Sequence, residues 1–262
     1  MAKWHNNSNK PLSSVEWLNI HHNAKLKERE EFIKKTFPED VKSIMDLGSG
    51  PGLWLDLIHK NIHKNCKLIG VDVDSNAIEL LKEKFAKWDR ETCYIQCDLD
   101  KDIESLPKVD IILIFNIFCF FEDPLLILNK LKNKLNDGGK IIIRQYDGGT
   151  MRFGPMEEEL RQNLNSSIYS AVSGSKQFNH YDIDRIINII HKSNFENIQM
   201  EFETIQKFYP YTKEFELYLT ETIKWNIEYS SNIVKSKLNE WYNANKLKNS
   251  YFLEVDLVSI LS

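Results

Sequence analysis

Apolar residues form an alternating series of strand and helix patterns through the middle of the chain. Short runs of β-branched and other apolar residues predict buried strands, and stretches in which apolar residues recur every three or four positions predict amphipathic helices. The predicted strands are residues 43–47, 67–72, 94–97, 109–115 and 140–144, and the predicted helices between them are residues 53–62, 76–88 and 124–135. This order predicts right-handed βαβ units around a parallel sheet that is covered on both faces.

Helical patterns also precede and follow this region. Ser13 or Ser14 is placed to cap a single helix that reaches about Thr36. After Tyr146, a glycine-rich stretch precedes helices near 156–171 and 182–193, a strand at 197–208, a helical stretch at 213–247 and a closing strand at 251–261. We therefore divide the chain into an N-terminal cap helix (1–40), a core (41–210), a helical insertion or lid (211–250) and the closing strand of the core (251–262).

Length and composition narrow the class of protein. A chain of 262 residues is long for one plain domain and short for two, which favours one α/β core with an insertion. With 42% hydrophobic and 27% charged residues, the composition is that of a globular protein and excludes collagen-like and wholly disordered classes. The net charge of −4 argues against a protein that binds nucleic acid through many phosphate contacts. We expect a cytoplasmic protein, because we find no signal peptide and no apolar run long enough for a membrane span.

The four cysteines do not form a zinc motif. Cys66, Cys93, Cys97 and Cys119 lack paired CxxC spacing and lie in apolar, strand-like stretches. We expect reduced thiols and no bound metal.

A glycine-rich segment, Asp46-Leu-Gly-Ser-Gly-Pro-Gly52, separates the first predicted strand from its helix. Glycine permits positive φ and close approach of a ligand, and the helix N-terminus offers free N–H groups. A dinucleotide fingerprint needs its third glycine at position 53, where this chain has Leu53. The spacing therefore argues against NAD and suits a ligand that lies along the loop without a pyrophosphate against the helix.

Acidic residues follow the next two predicted strands. Asp72 lies about 20 residues beyond the loop, where a carboxylate can accept hydrogen bonds from both ribose hydroxyls. A helix N-cap is the alternative, and it fits Asp74 or Ser75 better than Asp72. Asp98 is placed to accept a hydrogen bond from an adenine amino group, with Leu99 against the ring, although a turn aspartate is the competing interpretation.

Together with Phe115-Asn116, Glu122-Asp123-Pro124 and Leu135-Asn-Asp-Gly-Gly-Lys140, these segments resemble the successive motifs of class I S-adenosylmethionine-dependent methyltransferases of the small-molecule type. The resemblance covers roughly residues 40–150. It implies an α/β fold with a Rossmann-like seven-stranded sheet in the order 3214576, and S-adenosylmethionine as the cofactor.

The resemblance also implies roles for individual residues. Gly48, Gly50 and Gly52 would line the methionine moiety, and Asn116 would border its amino group through a backbone carbonyl. The chain departs from many small-molecule relatives at 117–121, where Ile-Phe-Cys-Phe-Phe replaces histidines that commonly act as a base. The full set expected around the cofactor is Asp46, Gly48, Gly50, Gly52, Asp72, Val73, Asp98, Leu99, Asn116, Lys25 and Arg29.

One face of the N-terminal helix carries His22, Lys25 and Arg29, with His21 adjoining Lys25. Two interpretations of this face are possible: it is a solvated charged face, or it closes over the cofactor. Lys25 or Arg29 could bind the cofactor carboxylate, and the planar guanidinium of Arg29 suits it better. We expect residues 1–36 to act as a lid that the core does not need in order to fold.

Methyl transfer from a sulfonium depends mainly on positioning and on exclusion of water, and a base is needed when the acceptor is a neutral hydroxyl. The candidates for a base are Tyr146 with Asp147 first, His180 second and His22 third. We expect the acceptor pocket between the N-terminal helix, residues 144–147 and the insertion, whose aromatic residues are Trp225, Tyr229, Trp241 and Tyr242.

The sequence thus predicts methylation of an oxygen or nitrogen of a small metabolite. An RNA or protein methyltransferase is the alternative, although the chain lacks an Asn-Pro-Pro-Tyr type motif, a Pro-Cys nucleophile and an appended basic domain. A cofactor-binding partner without transfer activity is a further alternative.

Overall fold

The computed structural model describes residues 14–148, 150–173 and 183–262. Within these ranges the strands are β1 (Ser43–Leu47), β2 (Lys67–Asp72), β3 (Thr92–Gln96), β4 (Val109–Phe115), β5 (Leu135–Tyr146), β6 (Arg152–Gly154), β7 (Ile198–Phe208) and β8 (Tyr251–Leu261). The α-helices are α1 (Val15–Ala24), α2 (Leu26–Thr36), α3 (Leu53–Asn61), α4 (Ser75–Phe85), α5 (Pro124–Lys132), α6 (Glu158–Ser173), α7 (Ile183–Lys192), α8 (Lys213–Tyr229) and α9 (Asn232–Asn245). Single 3-10 turns occur at Ile103–Ser105 and Phe118–Phe120.

The strands form one mixed sheet in the order β3-β2-β1-β4-β5-β8-β7. The first five strands of this order are parallel to one another, and β8 is antiparallel to β5 and to β7. This confirms the order 3214576, with β7 and β8 as its sixth and seventh strands. The short strand β6, which the sequence pattern did not predict, pairs with β8 beyond the end of β5.

Alternating residues of the inner strands pack into two apolar clusters, one on each face of the sheet. Met45 of β1 lies in the cluster beneath α5 and α7. Its neighbour Ile44 lies in the cluster beneath α2, α3 and α4. Because both faces are covered, the strand sequences are almost continuously apolar, which is why their positions could be predicted.

The N-terminal segment contains two helices instead of the predicted single one. Ser14 caps α1 as predicted, with its Oγ accepting the Trp17 N–H at 3.0 Å. The helix is interrupted at Lys25, and α2 then carries Phe32 and Ile33, which are 2% and 1% exposed, into the core. Because these residues complete the apolar cluster on one face of the sheet, their burial argues against a lid that is dispensable for folding.

The predicted helical stretch at 213–247 is likewise two helices, α8 and α9, separated at Ser230 and Ser231. They pack with α6 and β6 into a third apolar cluster beyond the sheet. Trp241 donates its indole N–H to the Pro155 carbonyl at 2.6 Å. Trp225 and Tyr242 also pack against this cluster, and the side chain of Tyr229 lies outside the described part of the structure.

No helix in the described ranges combines the length and apolarity needed to cross a bilayer. Cys66 and Cys97 are buried free thiols, and burial raises the pKa of Cys66 to about 11. Cys93 is a partly exposed free thiol, and the Cys119 side chain is outside the described residues.

Candidate functional site

A cavity of about 220 Å³ lies at the carboxyl ends of the parallel strands. Its lining includes a residue at the end of each of five neighbouring strands: Asp98 for β3, Asp72 for β2, Gly48 for β1, Asn116 for β4 and Tyr146 for β5. Neighbouring strands lie about 4.8 Å apart, so this row spans about 19 Å. The site therefore suits an extended ligand that crosses several strand ends.

The loop between β1 and α3 has the backbone conformation that its glycines predict. The φ angles are +63° at Gly48, +52° at Gly50 and +71° at Gly52, in the left-handed region that other residues rarely adopt. Gly48 and Gly50 line the cavity. Gly52 does not line it, and a β-carbon at that position would collide with Leu81 of α4. Two of the three glycines thus face the ligand site, and the third allows α3 to begin beside α4.

Asp72 holds this loop against the end of β2. Its Oδ2 accepts the Gly50 N–H at 2.8 Å, and its Oδ1 accepts the Asp74 N–H at 2.9 Å. Burial raises the pKa of Asp72, and these N–H donors oppose that rise. Asp74 is the N-cap of α4 and accepts the Asn76 N–H at 3.0 Å. The sequence predicted that a cap at this position is Asp74 or Ser75 rather than Asp72.

The other residues expected around the nucleoside and the glycine loop differ in whether they line the cavity. Val73, Asp98 and Leu99 line it. Asp98 is also a turn aspartate, because its Oδ1 accepts the Asp100 N–H at 3.2 Å and its Oδ2 lies 2.9 Å from Lys101 Nζ. Asp46 does not line the cavity; it is buried in β1, where burial and the charge of Asp72 raise its pKa.

Asn116 joins the ends of β4 and β5. Its φ is +58°, a conformation that asparagine tolerates better than most residues. Its backbone N–H donates to the Arg144 carbonyl at 2.9 Å, and its Oδ1 accepts the Tyr146 N–H at 3.1 Å. These bonds position Tyr146 beside the loop that follows β4.

Arg29 brings a buried positive charge to the cavity wall. It is 6% exposed, and its guanidinium carbon lies 4.7 Å from the centre of the Trp54 ring. Nη1 donates to Nδ1 of His22 at 2.5 Å. Burial lowers the pKa of Arg29 to about 10, which leaves it charged at neutral pH. Arg29 forms no ion pair with a carboxylate of the described residues, so it can bind an anionic group of a ligand.

Lys25 lies behind this wall and does not line the cavity. Its ammonium forms an ion pair with Glu254 of β8, and the two side chains are 2% and 1% exposed. The Tyr218 hydroxyl donates to the other Glu254 oxygen at 3.0 Å, and His21 Nε2 lies 2.7 Å from Lys25 Nζ. Of the two cations expected to bind the cofactor carboxylate, Arg29 is therefore the one that reaches the cavity.

The predicted catalytic residues that the structure describes are not brought together. Tyr146 lines the cavity, whereas Asp147 and His22 do not. The backbone N–H of Asp147 donates to the Val255 carbonyl at 3.2 Å. Burial and the charge of Arg29 lower the pKa of His22 to about 3, so it is neutral and already accepts a hydrogen bond. His180 lies outside the described residues.

Other residues expected near the acceptor lie elsewhere. Arg144 forms ion pairs with Glu203 at 2.5 Å and Asp256 at 2.7 Å and does not line the cavity. Trp225, Trp241 and Tyr242 of the insertion do not line it either.

Four rings form the cavity wall beside β5, and we name Trp17, His21, Tyr146 and Tyr218 the aromatic wall. The rings of Trp17 and His21 are nearly parallel at 8°, with centroids 6.2 Å apart. Tyr218 of α8 lies 5.6 Å from Trp17 and 5.4 Å from His21. Sequence reasoning missed Trp17 and Tyr218. The i, i+4 spacing of Trp17 and His21 was an available signal, but Tyr218 is placed by the packing of α8 against α1.

Sequence comparison identifies a family for this chain. A family model described as "Methyltransferase domain" matches residues 20–200, which is more than half of the chain. A search among curated proteins found no significant match.

Structure comparison finds similar folds. Phosphoethanolamine N-methyltransferase 2 of Haemonchus contortus, solved with S-adenosyl-L-methionine, is 18% identical with a TM-score of 0.54. The match covers 90% of this chain and 52% of that one, so this chain spans about half the length of that enzyme. A SAM-dependent methyltransferase from Aquifex aeolicus is 13% identical with a TM-score of 0.51, and the match covers 93% of this chain and 99% of that one. At these identities the likeness shows a shared fold.

Proposed function

The chain belongs to the methyltransferase domain family, and on that premise we propose that it transfers the methyl group of S-adenosylmethionine to an oxygen or nitrogen of a small metabolite. The observation that carries this proposal is the row of residues along the ends of β3, β2, β1, β4 and β5. Asp98 and Asp72 lie at one end of the row and Arg29 lines the same cavity, so the lining offers the groups that an extended nucleoside bearing an amino acid requires.

The nucleoside lies over the ends of β2 and β3. Asp72 uses one lone pair of each oxygen for the backbone N–H groups of Gly50 and Asp74. A carboxylate has about four acceptor positions, so two remain for the two ribose hydroxyls. Asp98 accepts a hydrogen bond from the adenine amino group, and Val73 and Leu99 contact the ring.

The amino-acid end lies over the ends of β1 and β4. Arg29 binds its carboxylate, and the orientation of the guanidinium is held by the Trp54 ring and by His22. Gly48 lets the ligand approach the backbone, and the carbonyl of Asn116 accepts from the amino group. The chemistry of these groups therefore fits the donor along its whole length.

The bound donor supplies a methyl carbon that its positively charged sulfur activates for displacement. The protein's own contribution is to align the acceptor with that carbon and to exclude water. Trp17, His21 and Tyr218 cover the cavity beside β5. Tyr146, whose backbone N–H donates to Asn116, orients the acceptor.

A small acceptor is favoured over RNA by the net charge of −4. It is favoured over a protein chain by the covering helices α1 and α8, which supply Trp17, His21 and Tyr218 to the cavity wall. The same covering helices argue against a non-catalytic cofactor-binding protein, because such a protein does not need an enclosed site for an acceptor.

The test is incubation of the purified protein with methyl-labelled S-adenosylmethionine and separate pools of metabolites, total RNA and protein. We expect a methylated metabolite, and the mass of its fragments identifies the methylated atom. Label in RNA or protein would favour the first alternative, and donor binding without transfer to any pool would favour the second.

A further inference from the structure

The cavity changes in character along its length. The charged side chains that line it in the described residues are Arg29, Asp72, Asp74 and Asp98. Under the proposed function, Arg29, Asp72 and Asp98 contact the donor, and Asp74 caps α4. The end beside β5 is lined by the aromatic wall and by Met151. Among the described residues, the acceptor therefore meets mainly rings and apolar atoms, and the Arg29 guanidinium, whose Nη2 lies 3.3 Å from His21 Nδ1, is engaged by the donor.

The shape of the aromatic wall suits a flat molecule. The rings of Trp17 and His21, which both line the cavity, are nearly parallel, at an interplanar angle of 8°. The angle between Trp17 and Tyr218 is 29°. Aromatic ligands gain energy from stacked or edge-to-face contacts with such rings in addition to the burial of area, whereas an aliphatic ring gains the burial alone.

The protein's own cations already occupy ring faces around this end. Lys25 Nζ lies 4.7 Å from the centre of the Tyr218 ring and 5.9 Å from that of Tyr146. Arg29 lies over Trp54 in the same way. An acceptor that carries an ammonium group would meet like charges where it needs a cation–π contact. An acceptor that carries a carboxylate would find Lys25 already paired with Glu254.

Resting on the proposed function, we infer that the acceptor is an uncharged planar aromatic compound that is methylated on a ring hydroxyl. Such a hydroxyl is neutral in water, and the positive charge on the donor sulfur favours its aryloxide form. The hydroxyl proton passes to solvent water. The aryl oxygen then bonds to the methyl carbon while the carbon–sulfur bond breaks and leaves its electron pair on sulfur.

Binding of matched probes tests this inference without relying on turnover. Calorimetry first establishes that S-adenosylhomocysteine binds, because failure at that step contradicts the proposed function itself. The saturated protein is then titrated with 4-methylphenol, 2-naphthol, 4-methylcyclohexanol, 4-hydroxybenzoate, tyramine and 4-methylaniline. We expect at least one of the two neutral phenols to bind about tenfold or more tightly than the nonplanar and charged probes, a difference of about 1.4 kcal/mol.

Mass spectrometry with S-adenosylmethionine completes the test, and we expect the methyl ether of the phenol that binds. Tighter binding of tyramine, 4-hydroxybenzoate or 4-methylcyclohexanol would overturn the inference, as would binding of neither phenol. Transfer to 4-methylaniline in preference to both phenols would overturn the assignment of the hydroxyl.

Variants of Trp17 locate the probe. Trp17→Leu should weaken binding of the phenol about tenfold, the size of a lost stacking contact, while S-adenosylhomocysteine affinity stays unchanged. Trp17→Phe should restore most of the affinity. Trp88→Leu is the control, since Trp88 stacks on His59 away from the cavity. Equal phenol affinity in Trp17→Leu and Trp88→Leu would contradict the stacking role.

Discussion

The buried histidine His22 should make the protein sensitive to acid. Its Nδ1 accepts a hydrogen bond from Arg29 Nη1 at 2.5 Å, so a proton at that nitrogen would face a guanidinium. Burial and the Arg29 charge lower the pKa of His22 from 6.5 to about 3. Between these two pH values the unfolded chain binds a proton that the folded protein does not. The free energy of unfolding therefore falls as pH falls from 6.5 toward 3.

The size of the effect follows from the pKa difference. At 1.36 kcal/mol per pH unit, protonation of His22 costs about 5 kcal/mol more in the folded protein than in the unfolded chain. Most of this loss of unfolding free energy has already occurred when the pH has fallen to 4. The contribution of His22 to the difference in unfolding free energy between pH 7 and pH 4 is about 3 kcal/mol.

Urea unfolding at pH 7 and pH 4 measures this contribution when the wild type is compared with His22→Asn. Asparagine places Oδ1 where Nδ1 lies, so it can accept the Arg29 hydrogen bond but cannot take up the proton. We expect the wild type to lose about 3 kcal/mol more than His22→Asn on acidification. The control His191→Asn, at an exposed position in α7, should behave as the wild type. An equal loss in the wild type and His22→Asn would refute the reasoning.

Three further substitutions test the catalytic, structural and binding assignments. Tyr146→Phe should lower turnover while donor affinity stays unchanged; unchanged turnover would assign catalysis to positioning alone. Phe32→Ala should lower the free energy of unfolding by about 3–5 kcal/mol in urea, because Phe32 is 2% exposed in the core; a loss below about 1 kcal/mol would show that α2 is peripheral. Gly50→Val should abolish donor binding in calorimetry, because valine is strained at a φ of +52° and projects toward the ligand; full affinity would contradict this.

Much of the fold could be predicted because the inner strands are buried on both faces. Residues 43–47, 109–115 and 251–261 were predicted with the observed limits. The break at Lys25 was not predicted, and the residue that pairs with Lys25 in the interior, Glu254, is 229 positions away in the chain. Strand β6 was missed because three residues carry no periodicity.

The donor end of the site was predictable for a related reason. Its residues follow strand ends in sequence order, so local motifs such as Gly48–Gly52 and Asp72 mark them directly. The acceptor end depends on how helices distant in sequence pack together. Tyr218 reaches the cavity because α8 packs on α1, and Lys25 is withdrawn from it by Glu254. Charge and spacing alone therefore could not separate Arg29 from Lys25.

The central claim is that the cavity binds S-adenosylmethionine with Asp72 on the ribose, and calorimetry of the wild type and Asp72→Ala tests it most directly. Removal of the carboxylate leaves two ribose hydroxyls, and also the Gly50 and Asp74 N–H groups, without an acceptor, so we predict one-site binding to the wild type that weakens by about 1.5–3 kcal/mol in Asp72→Ala. Asp137→Ala, at an exposed position before the buried part of β5, should bind as the wild type does. Equal affinity of a folded Asp72→Ala protein and the wild type would contradict the account.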